Sequence, residues 1–197
     1  MDPLDLADSV LFKQVSDSRH FSDLNPYNNQ FDVYAVGYLR AGDILVDYIL
    51  KNGHYMSTLV FPIIFNYRQY IELRLKEIIW SARTLHDQNG RYPRNHNVAD
   101  LWATAKQILD LTSENIAEND EDYLLVDRLI ADFAKVDAAS DAFRFPEDRD
   151  GNRHLEGVNQ IDTPHVKEVM NKVSLVLDSI STGIAYYLEC KHNQPTD

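Results

Sequence analysis

Apolar positions along this chain recur mostly at steps of three and four, the spacing of one face of an α-helix. Five segments carry the pattern. From about 28 to 51, Tyr34, Gly37, Tyr38, Ala41, Ile44, Leu45, Tyr48 and Ile49 form a stripe, and Asn52-Gly53 supplies a stop. The stripe reads as core, with Gly37 and Ala41 allowing a neighbouring helix to come close. From about 55 to 85 runs a second helix, with Ser57 or Thr58 as its N-cap and Pro62 tolerated in its first turn. A third, from about 98 to 111, follows the cap Asn97 and turns Leu101, Trp102, Ala105, Ile108 and Leu109 inward. The fourth, from about 120 to 143, carries Val126, Leu129, Ile130 and Phe133. Asp162-Thr163-Pro164 opens the last, with Thr163 as N-cap and Pro164 at the first position, and Val166, Met170, Val173, Leu177, Ile180 and Ile184 on its inner face. Residues 86–97 read as a loop, and 143–155 as a loop or short hairpin turning at Asp150-Gly151. No repeat or linker divides the chain. The prediction is therefore an all-α, single-domain bundle of five main helices over 28–193. An arm or short helix at 1–27 precedes it, a polar connection occupies 113–121, and a polar tail at 194–197 follows.

The pattern breaks its own rule in two places. The most apolar run, 59–80, carries Arg68, Glu72 and Lys76 four residues apart, which sets them in one ascending row. At about 100° per residue, Tyr67, Ile71, Leu75, Ile78 and Ala82 centre the core face. Asn66, Gln69, Tyr70, Arg74 and Glu77 fall on the opposite side. Arg68 and Glu72 interleave with Phe61, Phe65 and Ile79 at the edge of the core. Charges there must be paired or used. Either the row is a helix-tying i,i+4 pair, or it belongs to a site. On the fourth helix the apolar stripe continues into Asp137, Ser140 and Arg144. Either that helix frays at Asp137 and these residues are exposed, or they form a second inward polar set that meets the first. Breaks of this kind are expected at functional sites.

Charge and cysteine content narrow the chemistry. Nineteen basic against 31 acidic residues give a net charge of −12, which disfavours a general nucleic-acid coat but leaves room for a local basic patch. The densest basic cluster, with His86, Arg91, Arg94 and His96, lies in the 86–97 loop. A single cysteine, Cys190, excludes an intrachain disulfide and argues against structural zinc. No Gly-x-Ser-x-Gly and no Gly-rich phosphate loop occurs. No cofactor or metal is expected. Charges interrupt the 59–80 run, so no membrane span is expected, and the acidic start lacks the features of a signal peptide. A cytoplasmic location is expected.

Three segments in order resemble the HEPN-like helical proteins. Pro62, Tyr67, Arg68, Glu72, Leu73, Leu75 and Lys76 match the second helix of that family, with Gln69 standing where the pattern has a histidine. His96, Asn97, Val98, Leu101 and Trp102 match a following segment. Asp137, Ser140, Phe143, Arg144, Phe145, Pro146, Asp148 and Gly151 match a later one. The resemblance implies a helical bundle, often a homodimer, from bacterial defence, toxin–antitoxin or stress systems. Many such proteins are metal-independent ribonucleases, marked by an arginine and a polar residue followed shortly by a histidine. Arg149-Asp150-Gly151-Asn152-Arg153-His154 has that form; Arg91 to His96 has the arginine and histidine but a tyrosine between. In this reading His154 or His96 is the general base and Arg149 or a neighbouring arginine holds an RNA phosphate. The alternative is a non-catalytic sensor or adaptor. There Arg68, Glu72, Lys76, Asp137, Ser140, Arg144 and Asp148 form a polar network that positions loops for a partner protein or a nucleotide-like ligand.

Overall fold

The computed structural model describes residues 30–111 and 121–193, together with Ser22 and Leu24, both exposed. The rest of the expected N-terminal arm, the connection up to residue 120 and the tail at 194–197 lie outside the described residues. Among the described residues five helices make an all-α bundle: α1 Gln30–Asn52, α2 Met56–Leu85, α3 Val98–Leu109, α4 Glu121–Val136 and α5 Thr163–His192. None of them is long and apolar enough to cross a membrane.

The bundle is built around α2. It packs against α1, α5 and α3. Between Tyr70 and Ile79 only Leu73 escapes full burial. The helical wheel placed Tyr70, Arg74 and Glu77 on an outer side, and the structure corrects this. A helix with neighbours on several sides has no outer side, and its polar residues must then find partners. On α1 the core face is Ala35, Gly42, Val46 and Ile49. The expected stripe is rotated outward, and Tyr34, Ile44 and Tyr48 are exposed. Close approach is at Gly42, not at Gly37 or Ala41. A Cβ at Gly42 would lie 2.7 Å from the Tyr67 ring, whereas one at Gly37 would meet nothing within 4 Å.

The helix ends also differ from expectation. α2 follows Tyr55 in a left-handed conformation (φ 65°), with no side-chain cap, so neither Ser57 nor Thr58 caps it. Asp162, not Thr163, caps α5 and accepts from the His165 amide, because Thr163 already takes the first helical position. Asn97 caps α3 as expected, accepting from the Ala99 and Asp100 amides. α4 stops at Val136, seven residues early. The Asp137 carboxylate turns back to accept the amides of Asp141 and Ala142 at 2.8 and 2.9 Å, and Ser140 adopts φ 66°. Such a side-chain acceptor offers the backbone an alternative to helix. The segment after it forms a short hairpin-like turn with one antiparallel bridge, Glu147 to Arg153, around Gly151 at φ 84°.

Candidate functional site

The two polar sets meet between α2 and the end of α4. Arg68, fully buried, directs Nε to the Asp137 carbonyl (3.2 Å) and carboxylate (3.3 Å), and Nη1 to Glu72 (3.1 Å). Its Nη2 donates to the His96 carbonyl at 2.7 Å. This last bond fixes the final residues of the 86–97 loop, where the Asn97 cap already holds the start of α3. Glu72 is buried as well. Lys76 Nζ donates to its Oε1 at 2.7 Å, and His96 Nδ1 lies 2.8 Å from the same oxygen. Burial pushes the Glu72 carboxyl up, but hydrogen bonds from Lys76 and His96, with their charges, outweigh it and hold the group below the usual glutamate value. An ionised carboxylate only accepts, so in the neutral form of His96 the proton sits on Nδ1 and Nε2 is left with a lone pair. The His96 side chain is 66% exposed. Glu72 therefore holds a histidine in one tautomer with its basic nitrogen at the surface, an arrangement suited to proton abstraction.

A cleft of about 500 Å³ is lined by Lys76, Arg91, Tyr92 and Arg94; His96 does not line it but shares the Glu72 oxygen with Lys76. Lys76 lies over the Tyr92 ring, and Arg91 over Trp80. Tyr92 itself packs edge-on against Phe31 of α1, which fixes the loop to the bundle. Three cations around one concavity make a local positive site on an acidic protein, and arginine forks fit the paired oxygens of a phosphate. No family model, curated protein or solved structure matches this chain. The chemistry of the site thus rests on its own geometry.

The other candidate residues do not join this cluster. Ser140 is buried, but its bonds are backbone ones: its carbonyl accepts from Arg144 Nη1 at 3.2 Å and its amide donates to the Asp137 carbonyl at 3.4 Å. Arg144 is exposed and stacks on Phe65 and Phe145. Asp148 organises its own turn: bonds from Asn152 and the Asp150 amide hold its carboxyl below the usual range. Arg149 is exposed at that turn. His154 lies largely buried, its Nε2 3.9 Å from Asp141 and without a hydrogen-bond partner. It lines a separate, largely apolar groove with Phe61, Phe143 and Phe145, to which Arg149 does not contribute. Among the described residues no group of three or more His, Cys, Asp or Glu side chains is set to hold a metal ion.

A second buried cluster went unforeseen. On another side of α2, Arg74 meets Asp32 of α1 at 2.8 Å, Glu77 at 3.4 Å and Asp178 of α5 at 3.0 Å. The contact from Nε to Asp178 has the distance of an ion pair but not the angle of a hydrogen bond. The Tyr70 hydroxyl donates to Asp178 at 2.9 Å; burial, then the Asp178 charge, hold that phenol well above its ordinary pKa. The only local signal was Glu77 three residues after Arg74. The partners from α1 and α5 are distant in sequence.

Proposed function

We propose that this protein is a HEPN-like, metal-independent endoribonuclease whose general base is His96. The observation that carries the reading is the His96–Glu72 pair, joined through Lys76 to a cleft lined by Lys76, Arg91 and Arg94. In the reaction, His96 Nε2 takes the proton from a ribose 2′-hydroxyl. The 2′-oxygen attacks the adjacent phosphorus, the P–O5′ bond breaks, and the departing 5′-oxygen takes a proton from the imidazolium or from water. The products are a 2′,3′-cyclic phosphate and a 5′-hydroxyl. Arg91 and Arg94 neutralise charge growing on the phosphoryl oxygens. Arg68 is a positioning residue: it touches no substrate but fixes the His96 backbone and the Glu72 carboxylate. The family resemblance adds the setting of a bacterial defence, toxin–antitoxin or stress system.

The test is cleavage of a mixed single-stranded RNA pool in the presence of a chelator, by the wild-type chain and by His96→Ala and His154→Ala variants. His96→Ala should lose activity by about 10²-fold or more, the usual contribution of a general base, while His154→Ala retains it. Activity that survives His96→Ala and vanishes in His154→Ala would overturn the assignment. One observation favours a second reading, a non-catalytic binding module: each nitrogen of the Arg68 guanidinium is already engaged within the protein. Saturable RNA binding with no cleavage by the wild-type chain would select it.

A further inference from the structure

The groove that His154 lines lies over the first turns of α2, and its other walls are the turn after α4 and the stretch leading into α5. It encloses about 1060 Å³. Val60, Phe61, Phe143, Phe145, Leu155 and Ile161 make the walls largely apolar. Small-molecule sites are concavities of about this size, apolar for the most part, with a few placed polar groups. The placed polar group here is Arg144. We propose that the groove binds a small organic acid, an apolar aryl or acyl body with one carboxylate, and that Arg144 holds the carboxylate. The inference is independent of the chemistry assigned to His96.

Arg144 is held in place but not neutralised. Its guanidinium stacks over the Phe145 ring at 5.0 Å and the Phe65 ring at 5.8 Å, and Nη1 donates to the Ser140 carbonyl at 3.2 Å. Among the described residues no carboxylate lies within ion-pair distance of it, and Nε and Nη2 make no hydrogen bond. Those two nitrogens are the side-on pair of donors that matches the two oxygens of one carboxylate. The surrounding backbone is strained. Ser140, whose carbonyl fixes the guanidinium, adopts φ 66°; Leu155 in the wall adopts φ 60°, and Tyr55, just before Met56 of the wall, φ 65°. Side-chain-bearing residues seldom take this conformation, and such strain gathers at ligand clamps. Charge selects the class of ligand. Among the described residues Arg144 is the only arginine or lysine in the lining, and the Asp162 carboxylate at its edge accepts from the His165 amide. One cation on a protein of net charge −12 balances a single negative charge, not the two of a phosphate monoester. His154 contributes a wall and not an anchor, because its Nε2 is buried towards Asp141, 3.9 Å away.

Isothermal titration calorimetry of the full chain tests the site, with 1-naphthoate and decanoate as probes. At least one acid should bind one-to-one with a Kd below about 1 mM, as expected of a ligand with roughly a dozen heavy atoms. The tighter of the two identifies the body, aryl or acyl, and either supports the proposal. The primary amide of that acid keeps its shape and loses its charge, and should bind the wild type at least about ten times more weakly. Arg144→Gln should weaken the acid by the same factor. Arg94→Gln, in the basic cleft of α2 and the 86–97 loop, should leave its affinity unchanged. Failure of both acids to saturate the wild type by about 5 mM overturns the proposal, and the groove is then a dock for something larger. So does an amide that binds as tightly as its acid, or binding lost in Arg94→Gln and kept in Arg144→Gln. If Arg144→Gln fails to fold, the amide and Arg94→Gln decide.

Discussion

Arg68 and Arg74 lie less than two turns apart on α2, both buried and both facing acids. Their partners differ. Arg68 meets Glu72 and Asp137, whose side chains are 2% and 1% exposed. Arg74 meets one buried acid, Glu77, and two that are about half exposed, Asp32 and Asp178. Glu72, in the first cluster, also holds a solvent-facing histidine and, through Lys76, is joined to a basic cleft. The second cluster joins α1, α2 and α5. Burial of a charged network thus does not by itself mark a functional site. What sets the first cluster apart is a titratable nitrogen held at the surface by a charge that is not.

The largest expected effect follows from that difference. Arg68→Ala leaves Asp137 buried without its cation and Glu72 with Lys76 and His96 only, a loss of about 3–5 kcal/mol that removes much of a typical domain's stability. Arg74→Ala leaves two acids that water can reach, Asp32 and Asp178, and Glu77 still accepting from Ser81, and should cost about 1–3 kcal/mol. Urea unfolding of both variants at neutral pH checks this. Equal losses would erase the distinction between the clusters.

Acid and alkali should act on opposite sides of α2. The folded-state pKa of Glu72 is depressed, so its contribution is present above the unfolded glutamate value and is lost as pH falls through the folded one. Stability should therefore drop on acidification, and Glu72→Gln, though less stable at neutral pH, should show a shallower acid limb. Tyr70 has a raised pKa, so its contribution is intact below the ordinary tyrosine value and is lost as pH rises towards the folded one. Tyr70→Phe should cost about 1 kcal/mol for one lost hydrogen bond and should flatten the alkaline limb in part. Only in part, because Tyr67, hydrogen-bonded to Asp43, is shifted in the same direction. Unfolding midpoints measured across pH separate the two limbs. An alkaline limb unchanged in Tyr70→Phe would remove Tyr70 from the account.

How much of this was legible depends on how local each signal is. The five helices follow from periodicity, and the α3 cap from Asn97 alone. The meeting of Arg68 with Asp137 was legible because polar residues on a core-facing stripe have to find each other. The orientation of α1 was not. That helix is apolar on two faces, Ala35-Gly42-Val46-Ile49 and Tyr34-Ala41-Ile44-Tyr48, and periodicity cannot choose between them. The Arg74 cluster was hidden because a helical wheel assumes an outer side, and α2 lacks one. The choice between His96 and His154 depended on a contact 24 residues away, from His96 to Glu72, which no spacing rule reaches.

The smallest expected effect on the fold is at His96, and it sharpens the comparison most. Its ring is mostly in solvent, and Glu72 keeps Arg68 and Lys76 when the ring is removed. The Arg68 bond to residue 96 runs to the backbone carbonyl, so alanine preserves it. His96→Ala should therefore unfold within about 1 kcal/mol of the wild type, the worth of one hydrogen bond to a charged partner at a wet site. A truly structural member of the network, such as Arg68, has no variant of that kind. Removing it must lower stability and cleavage together. If His96→Ala unfolds as readily as Arg68→Ala, His96 belongs to the scaffold, and the cleft loses its base.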